Sequence, residues 1–211
     1  LLGQQQFANV SLVADQINVA LGSRLKALET VAGRSGPAMQ AGPAALQSWL
    51  EQNVLLADLF NLGVLAYDTD GTMLAEWPLR AGRAGLIELH KATVLAAMAQ
   101  GKSSVSDVYM GDELQSPVFG MTAPVRNTQG QVIGAISGVI DLGKPNFLNH
   151  VMRSPYGKTG AYLLIAPRQR LVITATDKSR IMAQLPLAGV SAALDQLING
   201  HEGSAVFVDP H

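Results

Sequence analysis

Two stretches of this chain, 99 positions apart, run through the same succession of apolar segments. Val64-Leu-Ala-Tyr67 falls on Leu163-Leu-Ile-Ala166, Gly71-Thr-Met-Leu74 on Arg170-Leu-Val-Ile173, and the helix end Ala96-Ala-Met-Ala-Gln100 near Ala192-Ala-Leu-Asp-Gln196. A period near a hundred residues is too long for a solenoid and fits two whole small domains. The second copy reaches only the strand-like run Ala205 to Val208, so it is smaller than the first or truncated, lacking its last two strands.

Within the first copy, two apolar runs, Leu62 to Tyr67 and Thr72 to Trp77, flank an Asp-Gly turn at Asp68 to Gly71, the pattern of a β-hairpin. After a loop from Pro78 to Gly85, Leu86 to Gln100 reads as a helix with Gly101 at its C-terminal cap. Strands are expected at Ser103 to Met110, Val118 to Arg126 and Val132 to Leu142. Strand, strand, helix and three strands make an antiparallel sheet with helices packed on it, an α+β layout of the PAS-like kind. Ahead of it, Val10, Ala14, Ile17, Leu21, Leu25, Leu28 and Val31 recur at intervals of three and four, one long helix running to about Gly33 and stopped by Gly33, Gly36, Pro37, Gly42 and Pro43. Such a helix exceeds what one small domain covers, so part of its stripe faces another element or a second copy of itself. A short helix from Pro43 to about Leu56 follows. The expected organisation is a helix over 1–42, a first PAS-like domain over 43–150 and a second over 151–211.

Several chemistries fail on residue type or spacing. Charged residues are 15% of the chain and the formal net charge is -1, so no basic field exists to hold nucleic acid. The chain has no cysteine, which removes disulfides, thiolate metal sites and cysteine nucleophiles, and suits an oxidising compartment. Gly157-Lys158-Thr159 lacks the first glycine of a phosphate-binding loop, Met152 standing there. Ser137 stands one place late for a nucleophile elbow and lies within a strand. His90, His150, His201 and His211 have no partner at metal-ligand spacing. Asp68 and Asp70 lack the acidic twelfth residue of a calcium loop, which is Leu79. No catalytic residue, metal or cofactor is expected. No apolar stretch approaches a membrane span, and Leu1 to Gln6 lacks a signal-peptide layout. The absence of an initiator Met and the end at Asp209-Pro210-His211, directly after an apolar run, lead us to expect a longer natural protein.

Taken in order, the long helix, the hairpin Val64 to Gly71, Gln100-Gly101-Lys102, Val105-Ser-Asp-Val-Tyr109, Pro117 to Val125, Gly130 to Leu142 and Gly157-Lys-Thr-Gly160 resemble the double-Cache family. These are extracytoplasmic sensor modules of bacterial chemoreceptors, histidine kinases and diguanylate cyclases. The resemblance covers nearly the whole chain. It implies a periplasmic module of a membrane-anchored parent, a small-molecule pocket in the first PAS-like domain, and a homodimer through the N-terminal helix. It also favours a diguanylate cyclase or histidine kinase as the output, a preference taken from the family and from no residue here. A soluble periplasmic ligand-binding protein and a hydrolase with an unrecognised triad are the alternatives.

The resemblance places the ligand between the sheet and the helix after the hairpin. The family's amino-acid receptors hold the ligand carboxylate with Arg, Trp and Tyr on that helix. Counting back from Gly101-Lys102, this chain has Lys91, Thr93 and Val94 there, so the guanidinium fork is missing and Lys91 offers only a point charge. Asp141 and Tyr109 match the residues that meet the ligand ammonium, and Trp77, Tyr67, Phe119 and Met121 complete the expected lining. A small amine, an amino-acid-like molecule, a polyol or an organic acid is the implied guest. Plainer readings stand beside these: Asp141 as a turn cap, Tyr109 and Trp77 as core aromatics, Met121 as core filler, and Lys91 as a solvated charge.

Overall fold

A computed structural model describes the backbone of residues 2–79, 84–111, 115–151 and 161–202, with side chains over 5–79, 90–111, 115–149 and 161–202. Helix α1 spans Leu2–Gln40, α2 Pro43–Gln52 and α3 Leu55–Leu59, followed by strands β1 (Gly63–Tyr67) and β2 (Met73–Trp77). Helix α4 (Ala84–Gln100) then leads into β3 (Ser104–Val105), β4 (Tyr109–Gly111), β5 (Ser116–Arg126), β6 (Val132–Asp141) and the short helix α5 (Phe147–Val151). A second hairpin, β7 (Leu163–Ala166) and β8 (Leu171–Ala175), and helix α6 (Ala192–Ile198) complete the described chain. The architecture is α+β, a long N-terminal helix with antiparallel sheets of PAS-like type. The expected run Ala205 to Val208 and the segment Gly157 to Gly160 lie outside the described residues.

Contacts divide the chain into two units, one of Leu21–Asn146 and one of Leu1–Ala20 with Phe147–His211. In the first, the sheet order is β2-β1-β6-β5-β3, with β4 also paired to β5. Parity sorts the sheet's side chains, because successive residues of a strand point to opposite faces and cross-strand partners share one. Leu65, Tyr67, Ala135, Val139 and Val118 pack with Val94 and Met98 of α4 on one face. On the other, a Cβ at Gly138 would run into the Phe60 ring, and one at Gly134 into Met39 of α1 and the Tyr67 carbonyl.

Helix α1 does not stop at Gly33, Gly36 or Pro37 but continues to Gln40. The reason is packing. A Cβ on Gly36 would stand 2.5 Å from the Arg126 carbonyl oxygen, so the glycine lets α1 approach the end of β5 closely. The additional turn buries Met39, worth about 1.5–3 kcal/mol. That offsets most of the roughly 3 kcal/mol that a proline costs inside a helix. Gly42, at φ 103°, ends the run, and Pro43 opens α2.

The expected single strand Ser103 to Met110 is instead β3 and β4. Between them a side chain replaces a backbone rung: Gly120 N donates to Ser106 Oγ at 2.9 Å while Ser106 N donates to Gly120 O. The expected helix Pro43 to Leu56 likewise breaks at Asn53, whose Nδ2 donates to Trp49 O at 2.7 Å. In the other unit, β7 and β8 pair antiparallel, Val172, Ala175 and Leu185 form the core, and Arg170 bridges to Asp195 at 2.7 Å.

Candidate functional site

Helix α4 buries His90, Val94, Ala97 and Met98, a stripe at intervals of four, three and one that lies against the sheet. Among the described side chains of this helix, His90 is therefore the polar group delivered to the interior. Its ring rests on Gly120 of β5, where any Cβ would collide with it. Its Nε2 lies 3.3 Å from Thr122 Oγ1, and that hydroxyl lies 2.7 Å from Ser137 Oγ. The ring also stacks on Tyr109, with centroids 6.3 Å apart and planes inclined by 29°. Burial lowers the His90 pKa to about 4 and raises that of the Tyr109 phenol to about 12, so both are neutral at ordinary pH.

Register explains why these groups meet. Ser104 pairs with Thr122 and Thr122 with Ser137, so three hydroxyls cross β3, β5 and β6 in one row. Four residues back along β5, Tyr109 pairs with Val118 and Val118 with Asp141, another row on the same face. Neighbouring strands lie about 4.8 Å apart, which places the Tyr109 and Asp141 backbones about 10 Å from each other.

Asp141 is 2% exposed and its carboxylate is already engaged. Oδ1 accepts from Ser116 Oγ and, at 2.9 Å, from Gly143 N, while Oδ2 lies 3.5 Å from Lys144 Nζ. Its backbone is held on both sides by Asn61, which accepts from Asp141 N at 2.8 Å and donates to Asp141 O at 2.9 Å. Asp141 thus closes the β6 turn, and its second oxygen meets a half-exposed lysine.

The other expected residues separate. Tyr67 is fully buried on the face of Asp141 and Tyr109. Phe119 and Met121 alternate with Val118, Gly120 and Thr122, and so belong to the opposite face, Met121 opposite Gly138. Trp77 pairs with Val64 and lies on that opposite face too. Lys91 sits over the first hairpin turn, its Cε 3.0 Å from where a Cβ on Gly71 would stand. There it adds to the hydrogen bonds from Asp68 and Thr72 that hold the Asp70 carboxyl down at about 2. Thr93 is half-buried beside Val94. His90, one residue before Lys91, is the site residue that motif counting passes over.

Three buried polar atoms on this face have no hydrogen-bond partner: His90 Nδ1, Tyr109 Oη and Ser104 Oγ. Leaving such a group unmet costs about 1–3 kcal/mol. Among the described residues of the other unit, Thr174 Oγ1 alone is in that condition. An open cleft of about 660 Å³ also lies in the first unit, among Glu29, Gly33, Lys102, Pro124, Arg126 and Asn127. Its guanidinium is spent on the Gly130 and Gly101 carbonyls. Among the described residues no three His, Asp or Glu side chains gather as a metal would need, and no helix is long and apolar enough to cross a membrane.

No protein-family model and no curated protein matches the chain. Solved structures do. The ligand-binding domain of the Pseudomonas aeruginosa PAO1 amino-acid chemoreceptor PctC, in complex with GABA, aligns with a TM-score of 0.63 and 22% identity, over 82% of this chain and 75% of that one. The corresponding domain of PctB from the same organism, with L-Arg, gives 0.66 and 22% over 87% and 69%. That of the Pseudomonas fluorescens chemoreceptor CtaA, with L-serine, gives 0.60 and 21% over 82% and 72%. The fold of this chain is that of these ligand-binding domains.

Proposed function

We propose that this chain is the extracytoplasmic sensing region of a membrane-anchored bacterial signalling protein, and that it binds a small amine-bearing molecule between α4 and the sheet of the unit Leu21–Asn146. The observation that carries the reading is the trio of buried, unmet polar atoms on the sheet face that also presents Asp141. A folded interior pairs its polar groups, and one that leaves three unpaired at one place is complementary to something else. The similar structures add support, since PctC, PctB and CtaA domains were solved with GABA, L-Arg and L-serine, each of which carries an ammonium.

In this reading Asp141 takes the ligand ammonium in exchange for Lys144, and Tyr109 and Tyr67 border the guest. Lys91, over the hairpin turn, and Thr93 flank the approach, while Phe119, Met121 and Trp77 hold the sheet to the layer behind it. A ligand that binds one packing of α4 on the sheet more tightly than another shifts the balance between them. Helix α1, which buries Leu28, Ala32 and Met39 and meets the reverse face of the sheet through Met39, carries that difference towards a cytoplasmic output of the diguanylate cyclase or histidine kinase kind. The exposed Phe7, Val10, Leu12 and Val19 of α1 suit a homodimer built on this helix. A periplasmic location follows from the same reading.

A thermal-shift screen of small amines, amino acids, polyols and carboxylates tests it. An amine at a hundred times its dissociation constant is expected to stabilise the protein by about 2.7 kcal/mol. Asp141→Asn, which keeps an acceptor for Ser116 and Gly143 but removes the charge, is expected to abolish most of that gain. Amine hits undiminished in Asp141→Asn, or stabilisation by polyols and carboxylates alone, would refute the amine site.

A further inference from the structure

We infer that His90 and Tyr109 form a two-point subsite that reads one hydrogen-bond-accepting oxygen of the ligand, at the end remote from its ammonium. The inference rests on the ligand site proposed above and goes further by assigning the group that selects among amines. Its geometry is that of two near-parallel rings whose polar atoms, Nδ1 and Oη, are both buried and both unpaired. His90 cannot turn away, because it is wedged between α4 and the bare backbone of Gly120. On its other edge Nε2 meets Thr122, which is itself bonded to Ser137.

The neutral imidazole carries one proton. Where Ser137 donates to Thr122 and Thr122 to Nε2, the arrangement in which both hydroxyl protons find an acceptor within the row, that proton resides on Nδ1 and Nδ1 is a donor. The Tyr109 hydroxyl is a second donor, on the ring stacked against His90. An oxygen with two lone pairs accepts from both, whereas an ammonium would need two acceptors and has Asp141 elsewhere on the face. A carbonyl, a hydroxyl and a carboxylate all offer such an oxygen. An alkylamine offers none, and binding it leaves both protein groups unmet, the arrangement that discriminates most strongly between close analogues.

The experiment titrates wild-type protein, by calorimetry, with two matched pairs of probes: ethanolamine against ethylamine, and GABA against butylamine. The oxygen-bearing member of at least one pair is expected to bind about tenfold more tightly, the worth of one to two neutral hydrogen bonds. The pair that shows it tells a hydroxyl from a carboxylate. His90→Phe, which keeps a ring on Gly120, is expected to erase that preference. Tyr109→Phe, which removes one oxygen and no packing, is expected to reduce it and answers for the case in which the histidine variant misfolds. An equal affinity within both pairs, or a preference that survives in Tyr109→Phe and His90→Phe, overturns the assignment while leaving the amine site standing. Failure of all four probes to bind overturns both.

Discussion

Replacing Phe60 by alanine is expected to lower the unfolding free energy by about 3–5 kcal/mol, a large share of the roughly 5–15 kcal/mol that a domain possesses. Phe60 is wholly buried and its ring lies flat on Gly138 in the middle of β6. The sheet cannot close over the hole, because Val64 and Met121, the partners of Gly138 on β1 and β5, are themselves fully buried. Gly138→Ala pushes into the same ring and is expected to cost about 1–3 kcal/mol by overpacking. Combined, the two changes are expected to cost less than their sum, since the new methyl enters the space the ring has left. Urea denaturation of the two single variants and the double variant measures this. Strict additivity would show that the ring and the glycine do not share one space.

Acidification is expected to remove about 3 kcal/mol of stability through His90 alone. Burial holds this imidazole near pKa 4 in the folded protein, against 6.5 when it is free. Below pH 6.5 the unfolded chain takes up a proton that the folded chain refuses until about pH 4. The stability is therefore whole above 6.5, declines as the pH falls, and is lost by about 4. Urea unfolding at pH 7, 5.5 and 4.5, comparing wild type with His90→Phe, isolates this contribution. The wild type is expected to lose stability faster than the variant across that window. Parallel curves would mean that His90 is hydrated in the folded state and not enclosed between α4 and the sheet.

Where the sequence carried a local signal, the elements came out legibly. The Asp68 to Gly71 turn, the apolar run of β6, the cap at Gly101 and the second hairpin 99 residues on all rest on chemistry contained within a few residues. What was not legible depended on distant partners. Nothing local in Gly36 and Pro37 says that a carbonyl at Arg126 waits for a close approach, so the helix was expected to end there. Strand β5 is buried on both faces over most of its length, so its apolar pattern does not alternate and cannot tell which residues face α4. Hence Phe119 and Met121, chosen for their chemistry, lie behind the sheet, while Gly120 and Thr122 lie in front. His90 went unrecognised because a lone histidine in a helix has no spacing signature. The stripe His90, Val94, Ala97 and Met98 was the available signal, and it sets Lys91 about 100° round the helix from the buried face.

The most direct measurement is a crystal structure of the chain with the amine that stabilises it best. The account predicts ligand density on the sheet face between α4 and β5, with an oxygen in hydrogen-bond reach of His90 Nδ1 and Tyr109 Oη and the nitrogen at Asp141. Density in the open cleft beside Glu29, Lys102 and Arg126, or in the unit built on β7 and β8, would contradict it.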